Sequence, residues 1–136
     1  MKLALTILTP QAQIYSGEAD EIIVPTITGE IGILPNHVSL LTQILPGELR
    51  VKNAGKTSSF AIMGGYLEVA NNQVNVLGDY AIRAEDIEVA KAQQAKERAE
   101  KAKQEKASLE DLATIEAELR KSLLELKVAH RRKRSS

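Results

Sequence analysis

The stretch LGDYAIRAEDIEVAKA, residues 77–92, decides the fold, because the character of the sequence changes within it. Gly78 is the last of 8 glycines, Tyr80 is the last aromatic residue, and all 4 prolines lie further upstream. Glycine and proline mark turns, so a segment without them favours long helices. We therefore expect two parts in this chain of 136 residues, with boundaries at 1–84 and 85–136.

The composition excludes several classes of protein. Lys plus Arg and Asp plus Glu number 18 each, but residues 1–86 carry a net charge of −4 and residues 87–136 carry +4. The absence of cysteine excludes a disulfide scaffold, a thiolate zinc site and a cysteine nucleophile. No apolar run approaches the ~20 residues of a membrane-spanning helix, and the N-terminus is too short and broken for a secretion signal. We expect a soluble intracellular protein that can still attach peripherally to a membrane complex.

Residues before Tyr80 alternate between apolar and polar with a period of two. Leu3, Leu5 and Ile7 share one face of a predicted strand, which Pro10 ends. Turn residues separate further short strands, predicted at 21–24, 40–45, 49–52, 57–63, 67–69 and 74–76. Turns at intervals of about 8–12 residues are typical of an antiparallel β-sandwich or barrel.

Residues from Glu85 onward predict two helices. Acidic residues Glu85, Asp86 and Glu88 suit the first turn of the first helix, because the helix dipole favours negative charge there. One face of this helix is small and apolar: Val89, Ala92, Ala95, Ala99 and Ala102. After a predicted N-cap at Ser108, the second helix has a leucine-rich face: Leu112, Ile115, Leu119, Leu123 and Leu126.

These two faces complement each other, so we predict an antiparallel hairpin that turns near Lys106–Ala107. The fold class is then α+β, an N-terminal antiparallel β-sandwich followed by a C-terminal two-helix antiparallel hairpin. Alanine buries little area, so the two helices are expected to hold together weakly.

Motifs that suggest catalysis are incomplete. Gly55-Lys56-Thr57 resembles the end of a phosphate-binding loop, but Arg50 occupies the position of its first glycine and a strand follows, so a hairpin turn is expected. His37 and His130 lie in different parts of the chain. The residues indicate no catalytic group and no metal site. The basic run Arg131–Arg134 suits either an acidic protein surface or nucleic acid.

Four motifs carry a resemblance to a known family: GEIGILPNH at 29–37, LPGEL at 45–49, MGGYLEV at 63–69 and LGDYA at 77–81. Together they resemble the ε subunit of F-type ATP synthases, most closely its cyanobacterial and plastid branch. The resemblance implies a β-sandwich and a helical hairpin. It also implies a non-catalytic rotor subunit without a cofactor, which couples proton flow to ATP synthesis and inhibits ATP hydrolysis through its C-terminal helices. Such a subunit lies peripherally on the thylakoid or plasma membrane, at the stromal or cytoplasmic face.

The resemblance also implies partners and site residues. The sandwich binds the γ subunit and the c-ring, with a turn formed by Gly29, Glu30, Ile31, Gly32 and Ile33 facing the c-ring and His37 near γ. The hairpin reaches the catalytic α/β head through basic residues: Lys91, Lys96, Arg98, Arg120, Lys121, Lys127, Arg131, Arg132, Lys133 and Arg134.

Some members of the family bind ATP on the hairpin, and the matching positions here are Ile87, Glu88, Lys91 and Ala92. Glu replaces the family's Asp and Lys its Arg, and lysine lacks the planar two-pronged contact of arginine, so tight ATP binding is not expected. The alternative to a rotor subunit is a β-sandwich binding module whose basic helical arm binds nucleic acid or an acidic protein. The rotor interpretation expects no nucleic-acid partner, and contact with the membrane only through the complex.

Overall fold

A computed structural model of the chain describes the backbone of residues 1–105 and 109–135, and the side chains of residues 1–105 and 111–132. The chain divides into two compact units, Met1–Arg83 and Ala84–Ser136. Each unit is described by itself below.

The first unit lies wholly within the described residues and forms one sheet of ten strands. The strands are β1 Leu3–Leu8, β2 Gln13–Ala19, β3 Glu21–Thr26, β4 Gly29–Ile33, β5 Leu40–Ile44, β6 Gly47–Asn53, β7 Lys56–Ile62, β8 Gly65–Ala70, β9 Gln73–Gly78 and β10 Ala81–Arg83. Their order is β10-β7-β6-β3-β5-β8-β9-β1-β2, with β4 paired to β3.

The sheet folds over a single apolar core. Strand β2 lies against β6 and β10, so the two ends of the strand order approach each other. Alternate residues point inward in β1, β3, β8 and β9, as the period-two pattern predicts, whereas β7 ends in three consecutive buried residues, Phe60–Ile62. The largest fully buried side chains are Phe60, Leu3, Leu5, Ile7, Ile22, Ile33, Ile44, Leu49, Ile62, Leu67, Val24 and Val51. The predicted antiparallel β-sandwich is confirmed, apart from one parallel pair between β1 and β9.

Three strands were not predicted. Strand β2 reads QIYSGEA and β10 has only three residues, so neither carries a clear apolar alternation. The third is β4, where the sequence analysis expected a turn at Gly29–Ile33. The turn instead falls at Ile27–Thr28, where the Thr26 hydroxyl donates a hydrogen bond to the Gly29 carbonyl at 2.7 Å. The expectation of a turn was wrong because a turn at 27–28 leaves the following residues free to pair with β3.

The second unit contains helices α1, Val89–Gln104, and α2, Leu109–Ser135. Two ion pairs show that they run antiparallel, as predicted. Lys103 near the end of α1 lies 3.8 Å from Glu116 on α2, and Glu85 before α1 lies 3.9 Å from Arg132. The predicted turn at Lys106–Ala107 and the predicted cap at Ser108 lie outside the described residues.

The start of α1 differs from the prediction. Residues Ala84–Asp86 form a 3-10 turn, and the Ile87 N–H donates to the Ala84 carbonyl at 3.2 Å. Glu88 is extended, and α1 begins only at Val89. The predicted helix start at Glu85 was therefore wrong, because Ala84–Asp86 form a 3-10 turn and Ile87, which follows the turn, is buried before the helix begins.

The inner face of α2 also differs from the prediction. Leu126 is buried as expected and Leu123 is 45% exposed, while Ser122 and Val128, which were not predicted, are 4% and 1% exposed. Spacing alone does not distinguish Ser122 from Leu123, because both lie three or four residues from Leu119 and from Leu126. The buried Ser122 hydroxyl has a hydrogen-bond partner, because it donates to the Glu118 carbonyl at 2.9 Å. On α1 the buried residues are Ala92 and Ala99, which belong to the predicted alanine face.

Candidate functional site

A row of exposed apolar side chains crosses the outer face of the sheet. Tyr66 on β8 lies opposite Leu77 on β9, and Leu77 lies opposite Leu8 on β1. Tyr66 is 57% exposed and Leu77 is 54% exposed. On the other side of Tyr66, its direct partner on β5 is Gln43. We call Leu8, Leu77, Tyr66 and Gln43 the outer row.

Further exposed apolar side chains flank the outer row. The Ile27 N–H donates to the Gln43 carbonyl at 3.2 Å, so Ile27 lies at the β5 end of the row. Leu41 and Leu45, on and after β5, are exposed as well. Contiguous exposed apolar surface on a soluble domain marks an interaction site. Sequence reasoning did not single out this surface, although the outward positions of predicted strands held the signal, since they are normally polar.

The structure places the predicted 29–33 segment along one strand. Gly29, Glu30 and Gly32 are exposed, Ile31 is half-buried against the core, and Ile33 is fully buried. The side chain of Ile33 therefore belongs to the core of the unit. On the outer face, Glu30 forms an ion pair of 2.9 Å with Arg50 on β6.

His37 follows β4 in a loop with its own hydrogen bonds. The loop turns at Asn36, which has a φ of 68°, and the His37 N–H donates to the Leu34 carbonyl at 3.1 Å. The Asn36 N–H donates to the Asn72 side-chain oxygen at 2.6 Å, which ties the loop to the β8–β9 turn. His37 is half-buried, and its Nδ1 lies 2.7 Å from the Val38 carbonyl.

The candidate basic residues do not form one cluster. On α1, Lys91 pairs with Glu88 at 3.1 Å, Lys96 is half-buried, and Arg98 is exposed seven residues after Lys91 on the same face. On α2, the spacing of seven and four residues places Arg120, Lys127 and Arg131 along one stripe.

The remaining basic positions on α2 differ in their surroundings. Lys121 is half-buried, and Arg132 lies 3.9 Å from Glu85. The backbone of Lys133 and Arg134 continues α2, but their side chains lie outside the described residues.

The positions that match the ATP-binding residues of some family members are Ile87, Glu88, Lys91 and Ala92, and they differ in their exposure. Ile87 and Ala92 are buried, and the charge of Lys91 faces Glu88. This pair is exposed at the surface and would compete only weakly with a phosphate group. The prediction that ATP does not bind tightly therefore rests on the replacement of arginine by lysine, and it stays a prediction.

The phosphate-loop-like segment is a hairpin turn, as predicted. Ala54 and Gly55 have φ values of 53° and 79°, and β7 starts at Lys56. Positive φ at both central residues is typical of a two-residue hairpin. Within the described part of the chain, no group of three or more His, Cys, Asp or Glu side chains is placed to hold a metal ion. No described helix is long and apolar enough to cross a membrane.

The Asp20 carboxyl group has a lowered pKa and connects two parts of the sheet. The Asp20 carboxylate accepts a hydrogen bond of 2.8 Å from the Ala54 N–H and lies 3.1 Å from the Lys2 ammonium. The pKa of Asp20 is held below its ordinary value, first by the Ala54 N–H and then by Lys2. Lys2 also donates to the Asn53 side chain, so this group joins the start of β1 to the β6–β7 turn.

A small sheet with an apolar outer row, followed by an antiparallel helix pair with basic stripes, defines the chain as a protein-binding subunit of the α+β class. Residues 2–84 match the family model described as the ATP synthase, Delta/Epsilon chain, beta-sandwich domain. The chain belongs to the epsilon chain family of ATP synthase and is a non-catalytic component of that complex.

Relatives extend the match over both units. The ATP synthase epsilon chain of Herpetosiphon aurantiacus is 41% identical over 133 residues, covering 98% of each chain. That of Dehalococcoides mccartyi strain BAV1 is 42% identical over 134 residues, covering 98% of this chain and 96% of the relative. These matches favour the rotor-subunit interpretation over the nucleic-acid module, and they confirm the resemblance to the ε subunit.

Solved structures agree with the fold. A chain in the Euglena gracilis mitochondrial ATP synthase, OSCP/F1/c-ring, superposes with a TM-score of 0.73 at 26% identity, covering 95% of this chain and 81% of that one. A chain in the central stalk/c-ring of Tetrahymena thermophila mitochondrial ATP synthase gives 0.62 at 18% identity, covering 95% and 97%. The second likeness shows the fold alone.

Proposed function

We propose that the chain is a central-stalk subunit of ATP synthase, with the sandwich, residues 1–84, docked on the γ subunit and the c-ring. In this role it couples rotation of the stalk to ATP synthesis and lies at the membrane surface only through the complex. The structure with a TM-score of 0.73 to this chain is titled as a complex of F1 with the c-ring, which supports this role. Both the plasma membrane and the thylakoid membrane fit the proposal.

The observation that carries the proposal is the outer row. Burying a large apolar side chain contributes about 1.5–3 kcal/mol, so Tyr66 and Leu77 together supply a substantial part of a docking energy. The row lies on strands held in register by the sheet, so it is presented without a cost in ordering. We assign this surface to the γ subunit, because a large partner with its own apolar surface can cover the row and its flanks.

A charge substitution tests the assignment. Leu77→Asp places a carboxylate in the middle of the outer row and is expected to weaken binding to a γ-containing F1 core by at least about tenfold, from the loss of ~1.5–3 kcal/mol. Gln73→Asp is the matched control, since Gln73 is exposed on the same face of the same strand, four residues away. Affinities are measured by interferometry with immobilised F1. Equal affinities for the two variants would refute the assignment.

The ends of β4 are proposed to contact different partners. Gly29 follows the tip of the β3–β4 hairpin, whereas His37 lies in the loop beyond the opposite end of the strand. Five residues of strand separate the two by more than ~13 Å. We assign the Gly29–Glu30 end to the c-ring and the His37 loop to γ. Gly29 has a φ of 108°, so the cysteine is introduced at the neighbouring exposed Thr28 or at His37; cross-linking in assembled enzyme is expected to capture c and γ respectively.

The helical part of the chain, residues 85–136, is proposed to restrain ATP hydrolysis by reaching the catalytic α/β head. The support is the stripe of Arg120, Lys127 and Arg131, which suits an acidic surface. A chain that ends at Asp86 retains the whole β core and is expected to bind F1 while losing the inhibition. If the shortened and the intact chain inhibit hydrolysis equally, the helices have no regulatory role. If neither binds, the stalk assignment itself fails.

A further inference from the structure

Strand β4 is an open edge of the sheet. It pairs with β3 on one side, and among the described strands none pairs with its other side. An unpaired strand edge presents backbone N–H and C=O groups that can accept another strand. The question is which groups of β4 point outward and what surrounds them.

Pro25 on β3 shows which backbone groups of β4 point outward. Pro25 lies opposite Glu30 and has no N–H, and its carbonyl accepts a hydrogen bond of 3.0 Å from the Leu45 N–H on the far side of β3. Pro25 therefore bonds away from β4. In an antiparallel pair the bonded positions alternate, so the backbone groups of Glu30 and Gly32 point away from β3 while those of Ile31 point toward it.

The side chains around this edge leave it accessible. Glu30 is held over the outer face by Arg50, and Gly32 has no side chain. Ile31 packs partly against the core on the inner face, where a neighbouring apolar side chain would extend that core. Ile27 and Leu34, just before and after the strand, are both exposed. The strand is five residues long and carries one exposed charge, Glu30, which pairs with Arg50; it contains no lysine or proline.

We propose that the β4 edge binds an extended peptide segment by strand addition, and that the segment alternates apolar and polar residues. Two outward pairs of N–H and C=O groups require a partner with a matching peptide backbone, which a lipid or nucleic acid does not have. The apolar side chains of the segment lie on the inner face beside Ile31, and its polar side chains lie on the outer face beside Glu30. The occupant is a segment of a neighbouring stalk subunit, and this identification rests on the proposed function.

Amide hydrogen exchange tests the proposal residue by residue. In the isolated chain, the Glu30 and Gly32 amides are expected to exchange rapidly while those of Ile31 and Ile33 are protected. In the complex with a γ-containing F1 carrying the c-ring, Glu30 and Gly32 are expected to gain at least about tenfold protection. Rapid exchange of both amides in a fully formed complex would overturn the proposal. Protection that appears in the isolated chain with rising concentration would also overturn it, by showing that a second copy is the occupant.

A variant pair gives an independent readout. Gly32→Pro removes the outward N–H without removing a bond to β3, and is expected to weaken binding to the complex about tenfold. Gly32→Ala keeps the N–H, and its Cβ meets only the Glu21 carboxylate at 3.4 Å, so its affinity is expected to stay within about twofold of the original. Protection of the Ile31 amide confirms that β4 remains folded in each variant. Equal binding by the two variants would overturn strand addition, while failure of the unmodified chain to bind would overturn the proposed function instead.

Discussion

Replacing Gly65 by alanine is expected to destroy the first unit, whereas the same change at Gly55 is expected to be mild. Gly65 has a φ of +134°, and a Cβ there would lie 2.0 Å from the Leu77 carbonyl oxygen and 2.8 Å from the Gly78 Cα. Both are backbone atoms, so no side chain can move aside. Strands β8 and β9 would have to separate at the point where Tyr66 and Leu77 meet in the outer row.

The cost at Gly65 has two parts. A non-glycine residue held at such a φ costs about 1–3 kcal/mol. Losing two or three strand hydrogen bonds adds about 1 kcal/mol each. The sum of ~3–6 kcal/mol is a large part of the ~5–15 kcal/mol by which small domains are stable. Gly55 also has a positive φ, of +79°, but its Cβ would meet no atom within 4 Å, so only strain of about 1 kcal/mol is expected.

Urea denaturation followed by circular dichroism measures both variants. We expect Gly65→Ala to be largely unfolded or to show a strongly lowered midpoint, and to lose binding to F1 as a result. Gly55→Ala should unfold cooperatively near the original midpoint and keep its binding. If the two variants differ by less than about 1 kcal/mol, the close approach of β8 and β9 does not constrain the fold as argued.

Three further predictions concern single side chains. The lowered pKa of Asp20 means that its hydrogen bond from the Ala54 N–H and its pairing with Lys2 stabilise the fold above the unfolded pKa of about 3.9 and are lost as the pH falls through the lower folded pKa. Asp20→Asn should therefore reduce the loss of thermal stability as the pH falls below about 4. Ala99→Leu should overpack the helix pair and destabilise the second unit by about 1–3 kcal/mol in urea, while Ala90→Leu on the exposed face should not. Calorimetry with ATP should detect no micromolar affinity, because Lys91 replaces the arginine of ATP-binding family members and lacks its planar two-pronged contact; a micromolar dissociation constant would contradict this.

The sequence predicted most of the sheet because inward and outward positions alternate clearly in β1, β6, β8 and β9. It did not reveal β4, because a Gly-Glu-Ile-Gly-Ile segment carries two glycines and reads as a turn unless the position of the preceding turn is known. The order of the strands was equally inaccessible. The parallel pairing of β1 with β9 joins segments almost seventy residues apart, and no local pattern encodes it.

The site was harder to predict than the fold. The outer row appears only when strand register places Leu8, Leu77 and Tyr66 side by side, and register depends on the tertiary arrangement. In α2 the pattern of leucines suggested Leu123, because apolar character was used as the guide. The structure instead buries Ser122, whose hydroxyl donates to the Glu118 carbonyl one turn earlier and so needs no partner outside the helix.

The buried side chains of α1 explain why the helix pair is a suitable regulatory element. Its buried residues are two alanines, and each buried methyl group contributes only about 1 kcal/mol, whereas the sheet encloses Phe60 and many leucine and isoleucine side chains. The ion pairs that join the two helices are exposed and contribute less than about 1 kcal/mol each. Leu126 and Val128 on α2 are buried as well, so a partner that separates the helices has to cover the apolar face of α2, while the core of the sheet stays intact. We expect the first unit to stay docked throughout, so that the state of the helices can change without loss of the subunit from the complex.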